Sequence, residues 1–281
     1  MVTALITGGT GLVGQLLQNK LSNKGYGVRV LTRNPKKANE FAWNITKKTI
    51  DTKVFEDLDY MIHLAGAGIA DKRWTTKRKK EIIDSRTKST ELLFNTVKKL
   101  KIPLKGFIAA SAVGYYGATI TNRVYTELDK PATDFLAIVC KQWENSSLKF
   151  SKLNIPVTIV RMGVVLSKNG GVLSKMNTPL AITPIANGKQ FIPWIHIEDL
   201  TNIFIKAVKD HKFIGIFNAV APEYQTSKSF SRQLASVTHK QYIPIGVPAV
   251  LLKVILGKMA ILLTTGVKIS SNKLSTYGYS F

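Results

Sequence analysis

Three glycines set three residues apart, Gly8, Gly11 and Gly14, carry the clearest chemistry in this chain. They follow a short apolar run at residues 2–6. They precede a helical stripe of Leu12, Leu16, Leu17 and Leu21. Each glycine has its own reason to lack a side chain. Gly8 permits a tight turn off a strand, and Gly11 lets backbone N–H groups approach a phosphate with no Cβ in the way. Gly14 lets the helix pack close to the strand. The helix N-terminus then offers free N–H donors and a partial positive charge to an anion. The turn Gly8, Gly9, Thr10, Gly11, Leu12, Val13, Gly14 is therefore a candidate cradle for the pyrophosphate of a dinucleotide. The plainer alternative is a Gly-rich turn of an ordinary α/β protein, which the strand-turn-helix context disfavours.

A second apolar run at residues 28–31 leads into Leu31, Thr32, Arg33, Asn34 and Pro35. A strand that serves NAD usually ends in an acid, which accepts from the ribose 2′-OH. No carboxylate stands at this strand end. Arg33 is placed where the adenosine ribose would lie, and a guanidinium binds a 2′-phosphate through paired, charge-assisted bonds. Lys36 and Lys37 add to the local positive field. NADP(H) is therefore expected over NAD(H), the alternative being that Arg33 is a solvated surface arginine. The apolar run at 60–64 ends in Ala65, Gly66, Ala67 and Gly68, small enough to pass close to a cofactor.

Two residues are candidates for catalysis. Ser111 follows a predicted strand at 106–110 and is placed to bind a substrate oxygen or a nicotinamide carboxamide. Its other reading is a strand-end serine bonded to backbone. Tyr115 and its neighbour Tyr116 offer a phenol, or else a packing or stacking ring. His63, inside an apolar run, reads as a satisfied core histidine. His196 reads as structural, within a turn that Asp199 would begin as a helix cap. The four histidines and the one cysteine show no metal-ligand spacing, so no metal is expected.

Strands at 2–6, 28–31, 41–45, 60–64, 106–110 and 157–161 alternate with helices after the glycine turn, at 76–100 and at 135–153. That rhythm predicts a parallel sheet covered on both faces. After Gly170 the pattern changes, and Pro179, Pro184 and Pro193 punctuate a loop-rich stretch. The expected fold class is α/β, a Rossmann-type doubly wound parallel sheet with a smaller C-terminal substrate lobe. Residues 1–165 would bind NADP and 166–281 would form the substrate or lid region, with some segments returning to the main sheet. The apolar stretch 247–267 has helical periodicity interrupted by Lys253 and Lys258. It reads as an amphipathic lid helix or dimer face, not a membrane span, with interfacial membrane contact as a further reading.

Cys140 is the single cysteine, which rules out an internal disulfide and suits a reducing compartment. The sequence opens on its first strand with no leader, so the cytoplasm is the expected location. Forty basic and 17 acidic residues give a formal net charge of +23. The basic excess is densest over residues 72–105. Its two aromatics, Trp74 and Phe94, do not interleave it in the way a base-stacking platform would require, and no helix-turn-helix or zinc spacing accompanies it, so nucleic acid is not the expected partner. Lysine enrichment of solvated helix faces is the plainer account.

Taken together, the chain resembles the extended short-chain dehydrogenases/reductases. More narrowly it resembles their atypical branch of epimerase family, nucleoside-diphosphate-sugar epimerase-like proteins. The resemblance rests on Thr7 to Gly14, on Leu64-Ala65-Gly66, on Arg73-Trp74-Thr75 and Ser85-Arg86, and on Ser111-Ala112-Val113-Gly114-Tyr115-Tyr116-Gly117. It continues through Asp134-Phe135-Leu136-Ala137, Trp143-Glu144, Arg161 to Leu166, Trp194 to Leu200 and Asn218 to Pro222. It implies that Thr32 joins Arg33 at the 2′-phosphate and that Leu64 and Ala65 lie along the cofactor. It further implies that Glu81 and Arg86 reach the ribose side and that Val165 lines the nicotinamide end. A small-molecule substrate such as a sugar nucleotide, a homodimer through the long helices and a tail running past Phe281 are implied likewise.

The resemblance also exposes a departure. Ordinary members carry Tyr-x-x-x-Lys, in which the lysine favours the phenolate of an acid/base tyrosine. Aligned on Glu144, the tyrosine place holds Leu136 and the lysine place holds Cys140. Lys141 is turned about 100° away on a helix. Tyr224 and Lys228 match the spacing but lie outside the expected helix. Two functions stay open: an NADP(H)-dependent epimerase or oxidoreductase with an atypical site, and a non-catalytic NADP(H) sensor or scaffold. An anion-surface binder that uses the lysine excess is a third.

Overall fold

The alternating apolar runs close into one large sheet. A computed structural model describes residues 1–281. Strand β1 (Thr3–Thr7) runs into helix α1 (Leu12–Asn23) and returns as β2 (Gly27–Thr32). Next come β3 (Glu40–Asn44), β4 (Thr49–Ile50), β5 (Tyr60–His63), helix α2 (Thr76–Leu100) and β6 (Gly106–Ala112). Helix α3 (Phe135–Leu148), β7 (Val157–Met162), helix α4 (Ile197–Lys209) and β8 (Gly215–Ala219) complete the layers. The sheet order is β8-β7-β6-β5-β1-β2-β3-β4. Every neighbouring pair is parallel except β3 with β4. The chain leaves β1 toward β2 on one side and returns at β5 on the other. Open α/β sheets bind ligands at such a switch point, beyond the carboxyl ends of the strands.

Strand alternation assigns the two faces. Ala4 and Ile6 face Leu17 and Leu21 of α1 and Leu200, Ile203 and Phe204 of α4. Leu5 faces the opposite layer, with Leu93 and Val97 of α2 and Phe150. Register carries these rows across the sheet: Leu5 meets Met61, which meets Phe107, and Ile6 meets Ile62, which meets Ile108. Burying each of these large side chains contributes about 1.5–3 kcal/mol relative to exposure. The helix starts are specified locally. The Thr75 hydroxyl accepts the Arg78 N–H at α2, and the Asp134 carboxylate accepts the Leu136 and Ala137 N–H groups at α3.

Three expectations are corrected in detail. Helix α3 stops at Leu148, and Lys149–Leu153 tightens into a 3₁₀ turn. The cap of α4 is His196, whose Nδ1 accepts the Glu198 N–H at 3.3 Å; Asp199 lies inside the first turn. The stretch 247–267 is not one helix. It forms Ala249–Leu256, a 3₁₀ turn Gly257–Ala260, a short helix Ile261–Thr264 and strand Gly266–Ile269. Gly257 adopts φ +59° and ends the first helix, a conformation that favours glycine. Strand Gly266–Ile269 pairs with Ile120–Tyr125, tying the end of the chain to its first half. No helix is long and apolar enough to cross a membrane.

His63 is a fully buried core histidine with both ring nitrogens paired. Thr90 Oγ1 and Ser89 Oγ, each already donating to a helix carbonyl, lie 3.0 and 3.2 Å from Nε2. Nε2 therefore donates, and Nδ1 accepts from the Thr7 hydroxyl at 2.7 Å. Burial pushes the imidazole down from its ordinary 6.5 to about 3, so it is neutral. Its folded pKa lies below its unfolded one, and acid favours the unfolded chain. The stability it supports is complete above pH 6.5 and is lost as pH falls toward 3. One proton corresponds to a slope of about 1.4 kcal/mol per pH unit. Urea titrations should therefore show about 2 kcal/mol less stability at pH 5 than at pH 6.5. That slope should flatten in His63→Gln, and an unchanged slope would refute the assignment.

Candidate cofactor-binding site

The glycine turn is built by packing at two positions and left open at a third. Gly8 has φ +72°, and a Cβ on it would lie 2.9 Å from the Leu64 carbonyl carbon and 3.0 Å from Ala65 N. A Cβ on Gly14 would lie 2.7 Å from Gly9 Cα and closer still to the Gly8 carbonyl oxygen. Gly9, which the spacing did not single out, is equally constrained, with Val30 Cγ1 2.7 Å away. Gly11 differs. Its φ is −79°, open to any residue, and a Cβ there would meet only the Gly8 oxygen, at 3.4 Å. Nothing inside the protein demands a glycine at 11, and the position borders open space. Gly11 is also the N-cap of α1, with no side-chain cap and no acid in the first turn. The α1 dipole and free amides thus face open space unneutralised.

That space is a cleft of about 610 Å³ over the sheet's switch point, within the range of roughly 300–1,000 Å³ usual for small-molecule sites. Its walls include Gly8, Thr10, Gly11, Thr32, Arg33, Leu64, Ala65, Gly66 and Glu81 from the sequence reading. Lys36, expected to add to the positive field beside Arg33, is there as well, and so are Asn34, Glu40, Trp43, Ile45 and Ser85, which sequence reasoning missed. Glu40 matters most among these. It brings a carboxylate from β3 to the wall that Arg33 occupies, although β2 itself ends without one. Its Oε2 accepts the Lys36 amide at 2.6 Å, which commits that oxygen to closing the turn after β2.

Leu12, Val13, Gly14, Arg86 and Val165 do not line the cleft. Arg86 holds its wall from behind, donating from Nη1 to the Ala67 and Ile82 carbonyls at 3.0 Å each, with its guanidinium 4.9 Å from the Trp143 ring. The Ala67 amide donates to Ser85 Oγ at 2.9 Å, and the Ala65 amide to Thr7 Oγ1 at 3.2 Å. Glu81 pairs with buried Arg78, whose Nη2 donates to the Gly68 carbonyl at 2.6 Å. Helix α2 therefore fixes the loop after β5 through Arg78, Ser85 and Arg86. Val165 pairs with Ile195, and a Cβ on Gly171 would lie 3.7 Å from the Val165 carbonyl oxygen and 3.5 Å from Leu12 Cδ2.

Ser111 and Tyr115 meet around an ion pair. Ser111 is buried and donates to Glu144 Oε1 at 2.6 Å. Glu144 receives Arg161 through two bonds, Nε to Oε1 at 2.8 Å and Nη2 to Oε2 at 2.9 Å. Arg161 Nη1 donates to the Tyr116 hydroxyl at 2.8 Å, and that hydroxyl donates to Asn218 Oδ1 at 2.6 Å. Burial opposes charge on Arg161, yet the Glu144 bonds hold its pKa above the ordinary value. Burial pushes Tyr116 up to about 12, so it stays protonated. The Arg161 guanidinium lies 3.4 Å from the Tyr115 ring centroid. The sequence signal for this network was an arginine inside an apolar strand, a charge that must find a partner.

Leu136 and Cys140 face the same turn, with Leu136 Cβ 3.2 Å and Cys140 Sγ 3.7 Å from a Cβ placed on Gly114. Burial pushes the Cys140 thiol up to about 12, so it is a neutral packing group. Tyr224 and Lys228 flank the strand Gln225–Thr226 and lie outside helix α3.

Residues 4–219 match the NAD dependent epimerase/dehydratase family, and residues 247–281 match a domain of unknown function (DUF1731). An epimerase family protein of Staphylococcus aureus is 34% identical over 286 residues, covering 99% of this chain and 94% of that protein. One from Staphylococcus haemolyticus is 32% identical over 282 residues. Among solved structures, human epimerase family protein SDR39U1 with NADPH is similar at a TM-score of 0.87 and 28% identity, covering 100% of this chain and 95% of that one. A nucleoside-diphosphate sugar epimerase from Corynebacterium glutamicum is similar at 0.80 and 27%, over 100% of this chain and 55% of that one.

Proposed function

This chain belongs to the NAD dependent epimerase/dehydratase family, in its atypical extended branch, and from that premise we propose that it binds NADP(H) and acts on a sugar nucleotide or a related polar carbonyl or alcohol. The observation that carries this reading is the space left at Gly11, framed by uncapped α1 on one side and by Arg33 and Lys36 on the other. The first turn of α1 suits a pyrophosphate. Arg33 and Lys36 suit a 2′-phosphate, and Trp43 and Ile45 give an apolar wall for a base. Support for the phosphorylated dinucleotide also comes from the NADPH bound to the human relative, and for the substrate class from the name of the Corynebacterium protein.

Bound in this cleft, the dinucleotide supplies a hydride donor or acceptor at its nicotinamide ring. The chain's own residues limit what accompanies it. The Ser111 hydroxyl already donates its one hydrogen bond to Glu144, so toward a ligand it can only accept. Leu136 and Cys140 offer neither proton nor cation. Tyr115 is the phenol left to hold or move a proton at its hydroxyl, with Arg161 beneath its ring. A non-catalytic NADP(H) sensor is the second reading, favoured by that same apolar pair where the family's ordinary proton relay stands.

Titration of NADPH and NADH by nicotinamide fluorescence tests the cofactor reading. Arg33→Ala should weaken NADPH by about 10- to 100-fold, as expected for a charge-assisted pair, and leave NADH within about twofold. Glu40→Ala should leave the NADPH preference standing. An unchanged preference in Arg33→Ala would sink the assignment. Turnover of a nucleotide sugar that is lost in Tyr115→Phe would exclude the sensor.

A further inference from the structure

Residues 243–255 hold large apolar side chains in water with nothing in the fold to cover them. Ile245 is 77% exposed, Val250 73%, Val254 68%, Ile255 57% and Leu251 48%. Helix Ala249–Leu256 buries none of its residues. At 3.6 residues per turn, Val250, Leu251, Val254 and Ile255 share an arc of roughly 140°. A contiguous apolar face of this kind marks an interaction surface. Lys253 sits at its edge and Lys258 just beyond, both exposed.

Charge selects what covers the face. After Glu223 the chain carries seven Lys and Arg residues and not one Asp or Glu through Phe281. The segment packed alongside is the same. Residues 166–197 contain Lys168, Lys175 and Lys189 and no acid. Ala181–Ile182 pairs with Gln241–Tyr242, and Ile185 bridges to Val247. The apolar face therefore stands in a predominantly positive field, the one nearby acid of the loop after β5, Asp71, being paired with Arg78 at 3.6 Å. A second copy of this chain would bring another +23 against it, which disfavours self-association. Nucleic acid would engage the lysines but has no apolar interior to take up Val250, Val254 and Ile255, and residues 243–258 hold no ring on which a base could stack. Apolar side chains ringed by lysine fit a surface that is apolar inside and anionic at its boundary.

We propose that residues 243–258 dock this protein on an anionic lipid bilayer. Val250, Val254, Ile255 and Ile245 enter the acyl boundary while Lys253 and Lys258 meet headgroup phosphates. The face is joined to the cofactor cleft: Arg73 Nη2 donates to the Val254 carbonyl at 3.3 Å, and Met259 packs on Trp74 in the loop after β5. Docking would turn that side of the cleft toward the membrane. The proposal stands independently of which dinucleotide the cleft takes.

Co-sedimentation of the full chain with phosphatidylcholine vesicles, with and without roughly one-third phosphatidylglycerol, tests it. Partitioning should be at least about tenfold stronger on the anionic vesicles and should weaken at high salt. The double substitution Val250→Asp/Val254→Asp should lower it at least about tenfold. Because both side chains are exposed, NADPH titration of that variant should be unchanged, which shows that it is folded. Failure of the wild type to bind anionic vesicles would overturn the proposal, as would equal binding to neutral ones or binding that survives the double substitution. A wild-type dimer split by the same substitutions would give the face to a second copy and overturn it too.

Discussion

Glu144→Gln is expected to lower the unfolding free energy by about 3–5 kcal/mol, although the residue lies outside the dinucleotide cleft. The reason is what it leaves behind. Arg161 sits one residue from the end of β7, 1% exposed, and both arms of its fork toward Glu144 are used. Without the carboxylate, a cation stays buried with only neutral partners, the Tyr116 hydroxyl, the Tyr115 ring and the amide oxygen of the new glutamine, and Ser111 loses a charged acceptor. Removing the cation as well relieves most of that penalty. Glu144→Leu combined with Arg161→Met should therefore be more stable than Glu144→Gln alone, and far more stable than the sum of the single losses. Urea unfolding at pH 7 of the wild type, Glu144→Leu, Arg161→Met and the double variant gives the cycle, with Glu144→Gln measured beside them. Strict additivity, or a loss below about 1 kcal/mol for Glu144→Gln, would mean that the pair is not the buried unit described.

The same network frames the chemistry. Arg161 joins the serine strand, helix α3 and the Tyr115-Tyr116 turn at one point, so the placement of Ser111 and Tyr115 is inherited from a structural ion pair. Where an ordinary member of the family would aim a lysine at a phenol along α3, this chain has a leucine and a neutral thiol. Its cation comes instead from the neighbouring strand, and it lies under a ring rather than beside a hydroxyl. That arrangement fixes the ring firmly and engages the phenol little, which suits Tyr115 as a positioned group whose proton is still free.

How much of this was legible depended on how far apart in sequence the cooperating residues lie. The glycine turn, Arg33 and the small loop after β5 were legible because each is local: a strand end, a turn and a helix start. Glu40, Trp43 and Ser85 were not. They reach the cleft from β3 and α2, and only the parallel register of β2 with β3 and the packing of α2 bring them there. Arg161 announced a need for a partner, but spacing alone could not say that Glu144 supplies it across β7 and α3. The stretch 247–267 read as one helix because apolar periodicity survives a break. The backbone conformation of Gly257, which ends the helix, leaves no mark on that pattern. The cap of α4 was read at Asp199, three residues after the His196 that serves as it, since an imidazole rarely serves as an N-cap.

Substitutions at Gly11 and Gly14 should separate cofactor binding from folding. A methyl at 14 would sit 2.7 Å from Gly9 Cα and 3.0 Å from Gly9 C, both backbone atoms that cannot swing aside. Gly14→Ala should therefore cost at least about 1–3 kcal/mol of stability by overpacking α1 against the turn. A methyl at 11 meets only the Gly8 oxygen, at 3.4 Å, and φ −79° suits alanine. Gly11→Ala should cost under about 1 kcal/mol, the modest penalty of alanine at an N-cap. Yet it should weaken NADPH on the order of 100-fold, because its methyl occupies the space through which the amides of α1 reach a phosphate. Thermal unfolding and fluorescence titration of the two variants make the contrast measurable. Should Gly11→Ala keep its NADPH affinity within about twofold, the phosphates do not lie in the cradle, since no contact within the protein accounts for the missing side chain.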